Sequence, residues 1–246
     1  MQQQAIFQGF LAIAALAGGL FLFFSAFRRL ALRRAVEDTP TSKARSAALG
    51  RVELKGRCRG PALKAPFSGL DCVWCRIKVE EERTETDLRG RSSRSWVTLH
   101  ESVRAPLFTL DDGTGEIQVD PQGAEVDAVE TLSWTSGWLQ AKALPPGPEA
   151  FQWATGGKRR LTEWGLLKDA PLYALGVLRE PAAGEGEKPA PRLMRGRNGE
   201  PFYLSSRDEQ SILSSLLGAV MARLVLGAAL ALGSLAFLAW RLSAWH

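Results

Sequence analysis

AIFQGFLAIAALAGGLFLFFSAF, residues 5–27, contains no charged side chain. As an α-helix, about 23 residues extend roughly 34 Å, which is enough to cross a hydrocarbon layer of about 30 Å. The residues before this run carry no positive charge, and the run is longer than the apolar core of a secretory signal. The sequence therefore predicts an uncleaved transmembrane helix at residues 1–27.

A second apolar run, residues 216–240, contains a single charged side chain, Arg223. We expect Arg223 to lie near an interface, where its guanidinium contacts lipid headgroups, rather than to form an ion or ligand site inside the bilayer. Ser206 and Glu209 match an S-x-x-E capping box. We therefore predict one capped helix at residues 206–242 that contains the second span, and a tail at 243–246.

Both apolar runs contain small residues four positions apart, a spacing that permits helices to approach closely. This spacing predicts packing of the spans and association of copies of the chain through them. The small residues concerned are Ala14 with Gly18 and Ala229 with Gly233.

The charge of the chain is unevenly distributed. The 246 residues have 31 Lys and Arg against 26 Asp and Glu, a formal net charge of +5. Residues 28–59 hold ten basic and three acidic side chains, whereas residues 60–211 hold 19 basic and 23 acidic ones. Because a surface that follows a phosphate backbone needs local positive charge, we expect no nucleic-acid partner for the slightly acidic central region.

The basic residues that follow the first apolar run form a juxtamembrane collar, which we define as residues 28–49. Lys and Arg accumulate on the cytoplasmic side of membrane spans, so the collar predicts a two-pass protein with a cytoplasmic central domain and both termini outside. We expect the collar to bind anionic lipid headgroups, each Arg near the surface contributing about 1 kcal/mol. Headgroup contacts are predicted for Arg28, Arg29, Arg33, Arg34 and Arg223.

Residues 50–205 contain short alternating apolar and polar stretches separated by turns, a pattern typical of a small barrel or sandwich. One of these turns is rich in Asp and Gly, and we predict a structural role there for Asp111, Gly113 and Gly115. Its carboxylates lack the 12-residue spacing of a calcium-binding loop. The predicted strands are residues 51–59, 72–82, 95–103, 107–110, 116–120, 161–167, 172–178, 192–194 and 202–204.

The three cysteines limit metal and redox chemistry. A structural zinc usually takes four Cys or His ligands, so a site made of cysteines alone is excluded within these residues. Cys72 and Cys75 form a CxxC, a candidate redox pair. They lie in a predicted strand, where residues three apart face opposite sides of the sheet, so we expect a structural role. The sequence predicts no catalytic residue, no cofactor and no metal site.

An ordered set of segments resembles the GIDE-type family, named for a mitochondrial membrane-anchored E3 ubiquitin ligase also called MULAN. Their order and the two flanking spans agree with that family, so the resemblance covers essentially the whole chain. The segments are residues 49–56, 66–69, 72–79, 95–100, 107–124, 172–178 and 201–209. Residues 106–121 also resemble a pattern found in OB-like barrels. We predict an α+β membrane protein in which two transmembrane helices flank a β-rich domain, either OB-like or another small barrel.

In the GIDE-type family, ligase activity belongs to a C-terminal RING that binds two zinc ions through eight Cys and His ligands. These residues contain no such cluster, so the resemblance implies a substrate- or partner-sensing module but no ligase residue. It also implies a domain in the mitochondrial intermembrane space, or on the periplasmic side in a bacterium. This implication opposes the cytoplasmic side predicted from the arginines.

We therefore expect a non-catalytic, membrane-anchored scaffold or partner-binding module. Its partner would be a membrane or membrane-proximal protein. Two alternatives stay open, namely an accessory subunit of an E3 ubiquitin ligase-like or processing complex, and a sensor of lipids or other hydrophobic ligands.

Overall fold

The computed structural model describes residues 2–86, 90–135, 158–180 and 190–243. Two compact units are formed, one from Met1–Thr39 with Glu209–His246 and one from Pro40–Asp208. The helices are α1 (Gln2–Asp38), a short 3-10 helix (Ala44–Ser46) and α2 (Glu209–Ser243). The strands are β1 (Gly50–Arg59), β2 (Leu63–Lys64), β3 (Asp71–Thr86), β4 (Ser92–Arg104), β5 (Phe108–Asp111), β6 (Glu116–Val119), β7 (Glu125–Asp127), β8 (Val129–Thr135), β9 (Arg159–Leu167), β10 (Pro171–Arg179), β11 (Arg192–Met194) and β12 (Tyr203–Ser205).

The first unit is an antiparallel pair of helices, in which Arg241 near the end of α2 donates a hydrogen bond of 3.4 Å to Gln8 near the start of α1. Both helices are long and apolar enough to cross a membrane. Within the helical segments Phe7–Asp38 and Glu209–Arg241, 18-residue stretches reach mean hydropathies of 2.3 and 2.0.

Glycines set the closest approach of α1 and α2. A Cβ atom on Gly19 would lie 2.8 Å from the backbone nitrogen of Ala231, and one on Gly227 would lie 2.7 Å from that of Phe23. The contact therefore excludes larger side chains at both positions. Gly18 and Gly233 of the predicted small-residue pairs have no neighbour within 4 Å of such an atom.

Helix α2 begins later than predicted. Its first residue is Glu209, and the Ser206 hydroxyl donates instead to the backbone carbonyl of Asp127 at 3.3 Å. The predicted capping box of Ser206 and Glu209 is therefore wrong. Asp208 immediately precedes the helix, the N-cap position that Asp favours.

The second unit contains a closed five-stranded barrel. Its strands follow the order β1–β5–β6–β11–β10, and β10 pairs back to β1. All of these pairs are antiparallel except β6 with β11. This Greek-key order is that of an OB-like barrel, which confirms the predicted fold class. Strands β12 and β7 extend the sheet beyond β10.

Side chains fill the interior of the barrel. Leu54, Leu110, Val119 and Leu193 are fully buried there and belong to one core cluster. At Gly56, a Cβ atom would lie 2.5 Å from the backbone oxygen of Asp111. The approach of β1 to β5 therefore requires glycine at this position.

A separate sheet is built from two insertions into the barrel sequence. Strands β2, β3 and β4 lie between β1 and β5 of the chain, and β8 and β9 lie between β6 and β10. Strand β3 pairs with β4 on one side and with β9 on the other, and β8 pairs with β9. We call β2, β3, β4, β8 and β9 together the inserted sheet.

Candidate functional site

A cleft of about 700 Å³ lies between the inserted sheet and the loop that follows β6. Trp74 and Arg76 of β3, with Glu101 and Val103 of β4, form its floor, and residues 121–126 form the facing wall. The cleft is thus lined on one side by the inserted sheet and on the other by the segment that leaves barrel strand β6.

The charged groups on the floor of the cleft are held in place. The Arg76 guanidinium binds Glu101 through nitrogen–oxygen distances of 2.6 and 2.8 Å. Its central carbon also lies 5.4 Å from the ring centre of Trp164, a cation–π stack. Val103 beside this pair is 52% exposed. The floor therefore offers a fixed polar pair next to an accessible apolar side chain.

The same arrangement recurs farther along this face of the inserted sheet. Arg160 stacks on Trp96 at 4.8 Å and binds Glu80 at 2.6 and 2.8 Å. Lys78 binds the second oxygen of Glu80 at 2.8 Å. The hydrogen bond from Lys78, followed by that from Arg160, holds the pKa of Glu80 below its ordinary value despite burial. The face is consequently an ordered array of paired charges and tryptophans.

The wall of the cleft is a turn fixed by backbone hydrogen bonds. Ala124 donates to the carbonyl of Pro121 at 3.1 Å, and Glu125 donates to that of Phe202 at 2.8 Å. Gly123 has φ +76°, a conformation that favours glycine. Both sides of the cleft are thus held in place by hydrogen bonds or ion pairs.

A buried carboxylate supports the opposite face of the inserted sheet. Glu163 of β9 is fully buried and accepts hydrogen bonds from the backbone nitrogens of Phe67 and Ser68 at 2.9 and 3.3 Å. It also accepts one from the Thr131 hydroxyl at 2.8 Å. Glu163 thereby fixes the loop before β3 to two neighbouring strands.

The structure brings Cys72 and Cys75 to the same side of β3. The register of β3 against β9 shifts between Cys72 and Trp74, so the strict alternation of an ideal strand is broken there. Both thiols are fully buried in one cluster with Ala65. The expectation that they face opposite sides is therefore wrong, because a β-bulge adds one residue between them.

The two thiols interact, and their acidities diverge. A hydrogen bond with Cys75, followed by burial, raises the pKa of the Cys72 thiol. The same hydrogen bond lowers the pKa of the Cys75 thiol, against the effect of burial. Cys58, in the barrel core, is separate, and burial raises the pKa of its thiol to about 12.

The Asp- and Gly-rich turn connects β5 to β6 and contains Asp111, Gly113 and Gly115. Asp111 accepts a hydrogen bond of 2.8 Å from the backbone nitrogen of Gly113, but Asp112 accepts more hydrogen bonds than Asp111. Asp112 accepts hydrogen bonds from the backbone and hydroxyl of Thr114 and from the backbone nitrogen of Ala44. Although burial acts to raise it, these hydrogen bonds lower the pKa of Asp112 to about 2.

The arginines predicted to contact headgroups lie on the long helices. Arg28 and Arg34 are exposed on α1, and Arg223 is partly exposed on α2. Arg29 and Arg33 are partly exposed, and Arg33 forms an ion pair of 2.6 Å with Glu37 one turn later. Part of the positive charge of the collar is thus already paired with a carboxylate within α1.

Sequence reasoning did not identify the residues that form the cleft. Arg76 and Glu101 are 25 positions apart, and their pairing depends on the register of β3 and β4. The signal available was Trp74 and Arg76 two positions apart in one predicted strand, but this spacing specifies no partner. Within the described ranges, no three His, Cys, Asp or Glu side chains gather as a metal-binding group.

A protein-family model described as GIDE, E3 ubiquitin ligase, matches residues 77–240. The match extends from β3 into α2 and covers about two thirds of the chain. No curated protein and no solved structure is significantly similar to the chain.

Proposed function

The chain belongs to the GIDE family of E3 ubiquitin ligases, and on that premise we propose that it is a membrane-anchored, non-catalytic module that binds a partner protein. The observation that carries this proposal is the cleft between the inserted sheet and the barrel. The partner is a membrane or membrane-proximal protein.

The order of the cleft supports binding. Arg76 is fixed by both Glu101 and Trp164, so little side-chain entropy is lost when a partner docks against it. The exposed Val103 adds an apolar contact at the same place. A preorganised polar pair beside an accessible apolar group is the composition expected of a protein-recognition surface.

The two long apolar helices support the anchoring role. They flank the barrel domain in the chain, so a membrane would tether that domain at both ends. Tethering raises the effective concentration of the domain toward partners in the same membrane. The basic collar supports contact with anionic headgroups and a cytoplasmic position for the domain.

The family supports an accessory role in a ubiquitin ligase-like complex, with another component performing the chemistry. In that case the cleft would bind the catalytic component or its substrate. A hydrophobic-ligand sensor is less well supported, because side chains fill the barrel core.

Site-specific photocrosslinking tests the proposal. A photoreactive amino acid replaces Val103 in the cleft or, as a control, Leu49, which is 61% exposed just before β1. The full chain is expressed in its membrane, and adducts are identified by mass spectrometry. We expect reproducible protein adducts at Val103 and not at Leu49. Equal adducts at both positions, or lipid adducts alone at Val103, would contradict the proposal.

The side of the membrane is tested separately. Ser93→Cys places a thiol at an exposed position near the start of β4, and the three native cysteines are buried. We expect a membrane-impermeant maleimide to label this variant only after the membrane is permeabilised. Labelling of intact cells or spheroplasts would place the domain on the other side.

A further inference from the structure

We propose that the outer edge of β4, to which no described strand is paired and which we call its free edge, receives an extended, acidic segment of the partner protein as an added strand. This inference rests on the proposed function and specifies the kind of partner. The edge would supply main-chain hydrogen bonds, and the adjoining cleft would select side chains.

Strand β4 is 13 residues long, about 44 Å. One side pairs with residues 75–86 of β3, and no described residue pairs with the other side. An open edge presents a row of unused backbone donors and acceptors, and soluble proteins usually keep such edges short or interrupt them with proline. Residues 92–104 contain no proline. A single register shift, opposite Val79 and Glu80, interrupts the pairing of β4 with β3.

The charges on β4 favour an acidic occupant. Arg94 and Arg104 are exposed and form no ion pair among the described residues, whereas Glu101 already binds Arg76. A second copy of β4 would bring the same two arginines and no unpaired carboxylate. An extended segment with acidic side chains would instead place opposite charges across the new strand pair.

The free edge continues into the cleft, because Glu101 and Val103 of β4 also line it. Alternate side chains of a strand lie on the same face, about 6.8 Å apart. An added strand would therefore direct every second side chain toward the face that carries Val103 and the Arg76–Glu101 pair. Strand addition and pocket selection are combined in this way in known peptide-binding domains.

A charge-swap experiment tests the inference on the full chain in lipid nanodiscs. The probes are two fluorescent twelve-residue peptides with a Val-Thr centre, one with two Glu at each end and one with two Lys at each end, because Arg94 and Arg104 lie on opposite faces of β4 and adjacent side chains of an added strand also alternate between faces. We expect saturable binding of the acidic peptide only. Reversing both arginines, with Arg94→Glu and Arg104→Glu, should weaken that binding roughly tenfold and favour the Lys peptide, since charge pairs across strands are attractive or repulsive by sign. The control Arg197→Glu, at an exposed arginine outside the inserted sheet, should leave binding unchanged.

Amide hydrogen exchange separates strand addition from other binding. We expect the bound acidic peptide to protect alternate amides of residues 92–104, because only every second amide faces the free edge. The absence of saturable binding, binding insensitive to either charge reversal, or protection away from β4 would overturn the inference. So would a disulfide between two chains carrying Ser95→Cys that excludes the peptide, since a second copy would then occupy the edge. Crosslinking at Val103 that persists when both arginines are reversed would leave the cleft proposal standing while strand addition fails.

Discussion

In the barrel, each of the five strands is hydrogen-bonded on both sides, whereas the inserted sheet ends at β4, whose outer edge has no partner among the described residues. The barrel core is apolar, with Leu54, Leu110 and Leu193 fully buried. Among the described residues, the inserted sheet contains four buried charged side chains, Glu80, Glu81, Arg159 and Glu163, whereas the barrel strands contain Glu53. Buried charges therefore contribute more to the order of the inserted sheet than to that of the barrel.

This difference separates stability from recognition. Closing a barrel removes the free edges through which strands add to other chains, so the barrel suits a structural role. An open sheet that is fixed by ion pairs and cation–π stacks keeps backbone groups accessible while its side chains stay ordered. The binding surface is therefore expected on the inserted sheet, with the barrel as its support.

The largest expected effect distinguishes the barrel core from the cleft. Leu110→Ala removes fully buried atoms and should lower the free energy of unfolding by about 2–5 kcal/mol. Val103→Ala, at a side chain that is 52% exposed, should change it by less than about 0.5 kcal/mol. Denaturant unfolding of the full chain in detergent measures both. Similar losses for the two variants would contradict the assignment of stability to the barrel.

A smaller loss in the free energy of unfolding is expected when Glu163 is replaced. Glu163→Ala leaves the buried backbone nitrogen of Phe67 and the partly buried one of Ser68 without their acceptor and should cost about 2–3 kcal/mol. Glu163→Gln retains one acceptor oxygen and should cost less. Amide exchange at residues 66–69 should accelerate in the alanine variant. Unchanged exchange there would show that Glu163 does not hold the loop.

The ion pairs of the inserted sheet predict a pH dependence of stability. The pKa of Glu80 is lowered in the folded protein, mainly by Lys78 and Arg160. The contribution of Glu80 to the free energy of unfolding is therefore fully present above the pKa of about 4.3 that Glu has in the unfolded chain. That contribution is lost as the pH falls through the lower pKa that Glu80 has in the folded protein. Glu80→Gln should cost about 1 kcal/mol at neutral pH and flatten the acidic limb of stability against pH. An unchanged acidic limb would contradict this role.

The smallest expected difference between the barrel and the inserted sheet is in the reactivity of their thiols. Cys58 lies in the barrel core with a pKa of about 12, whereas the pKa of Cys75 in the inserted sheet is lowered. Because the thiolate is the reactive form, we expect Cys75 to be alkylated before Cys58, and both only slowly in the folded chain. Mass spectrometry of a labelling time course measures the order. Faster labelling of Cys58 would indicate that the barrel opens first.

The sequence predicted the strands better than their arrangement. Each of the nine predicted strands corresponds to a strand of the structure, because alternation of apolar and polar residues reports a half-buried strand directly. Strand β2 has two residues, too few for such a pattern, and β7 has the sequence EVD, with one apolar residue between two acidic ones. Strand β8, with the sequence VETLSWT, was not predicted, because its residues are exposed or only partly buried.

The candidate site could not be predicted because it depends on register and on a bulge. Arg76 meets Trp164 and Glu101 only once β3 is aligned with both neighbouring strands. The bulge near Cys72 has no sequence signal that we recognised, and it reverses the expected orientation of Cys75. Local patterns specify which residues form strands, whereas long-range pairing decides which of them meet.

The central claim is that the inserted sheet and its cleft, and not the barrel, bind the partner. Hydrogen–deuterium exchange of the full chain in nanodiscs, with and without the protein identified by crosslinking at Val103, tests this most directly. We expect protection confined to residues 92–104 and 121–126, with unchanged exchange in β1 and β10. Protection of β1 and β10 without protection of the cleft would contradict the account.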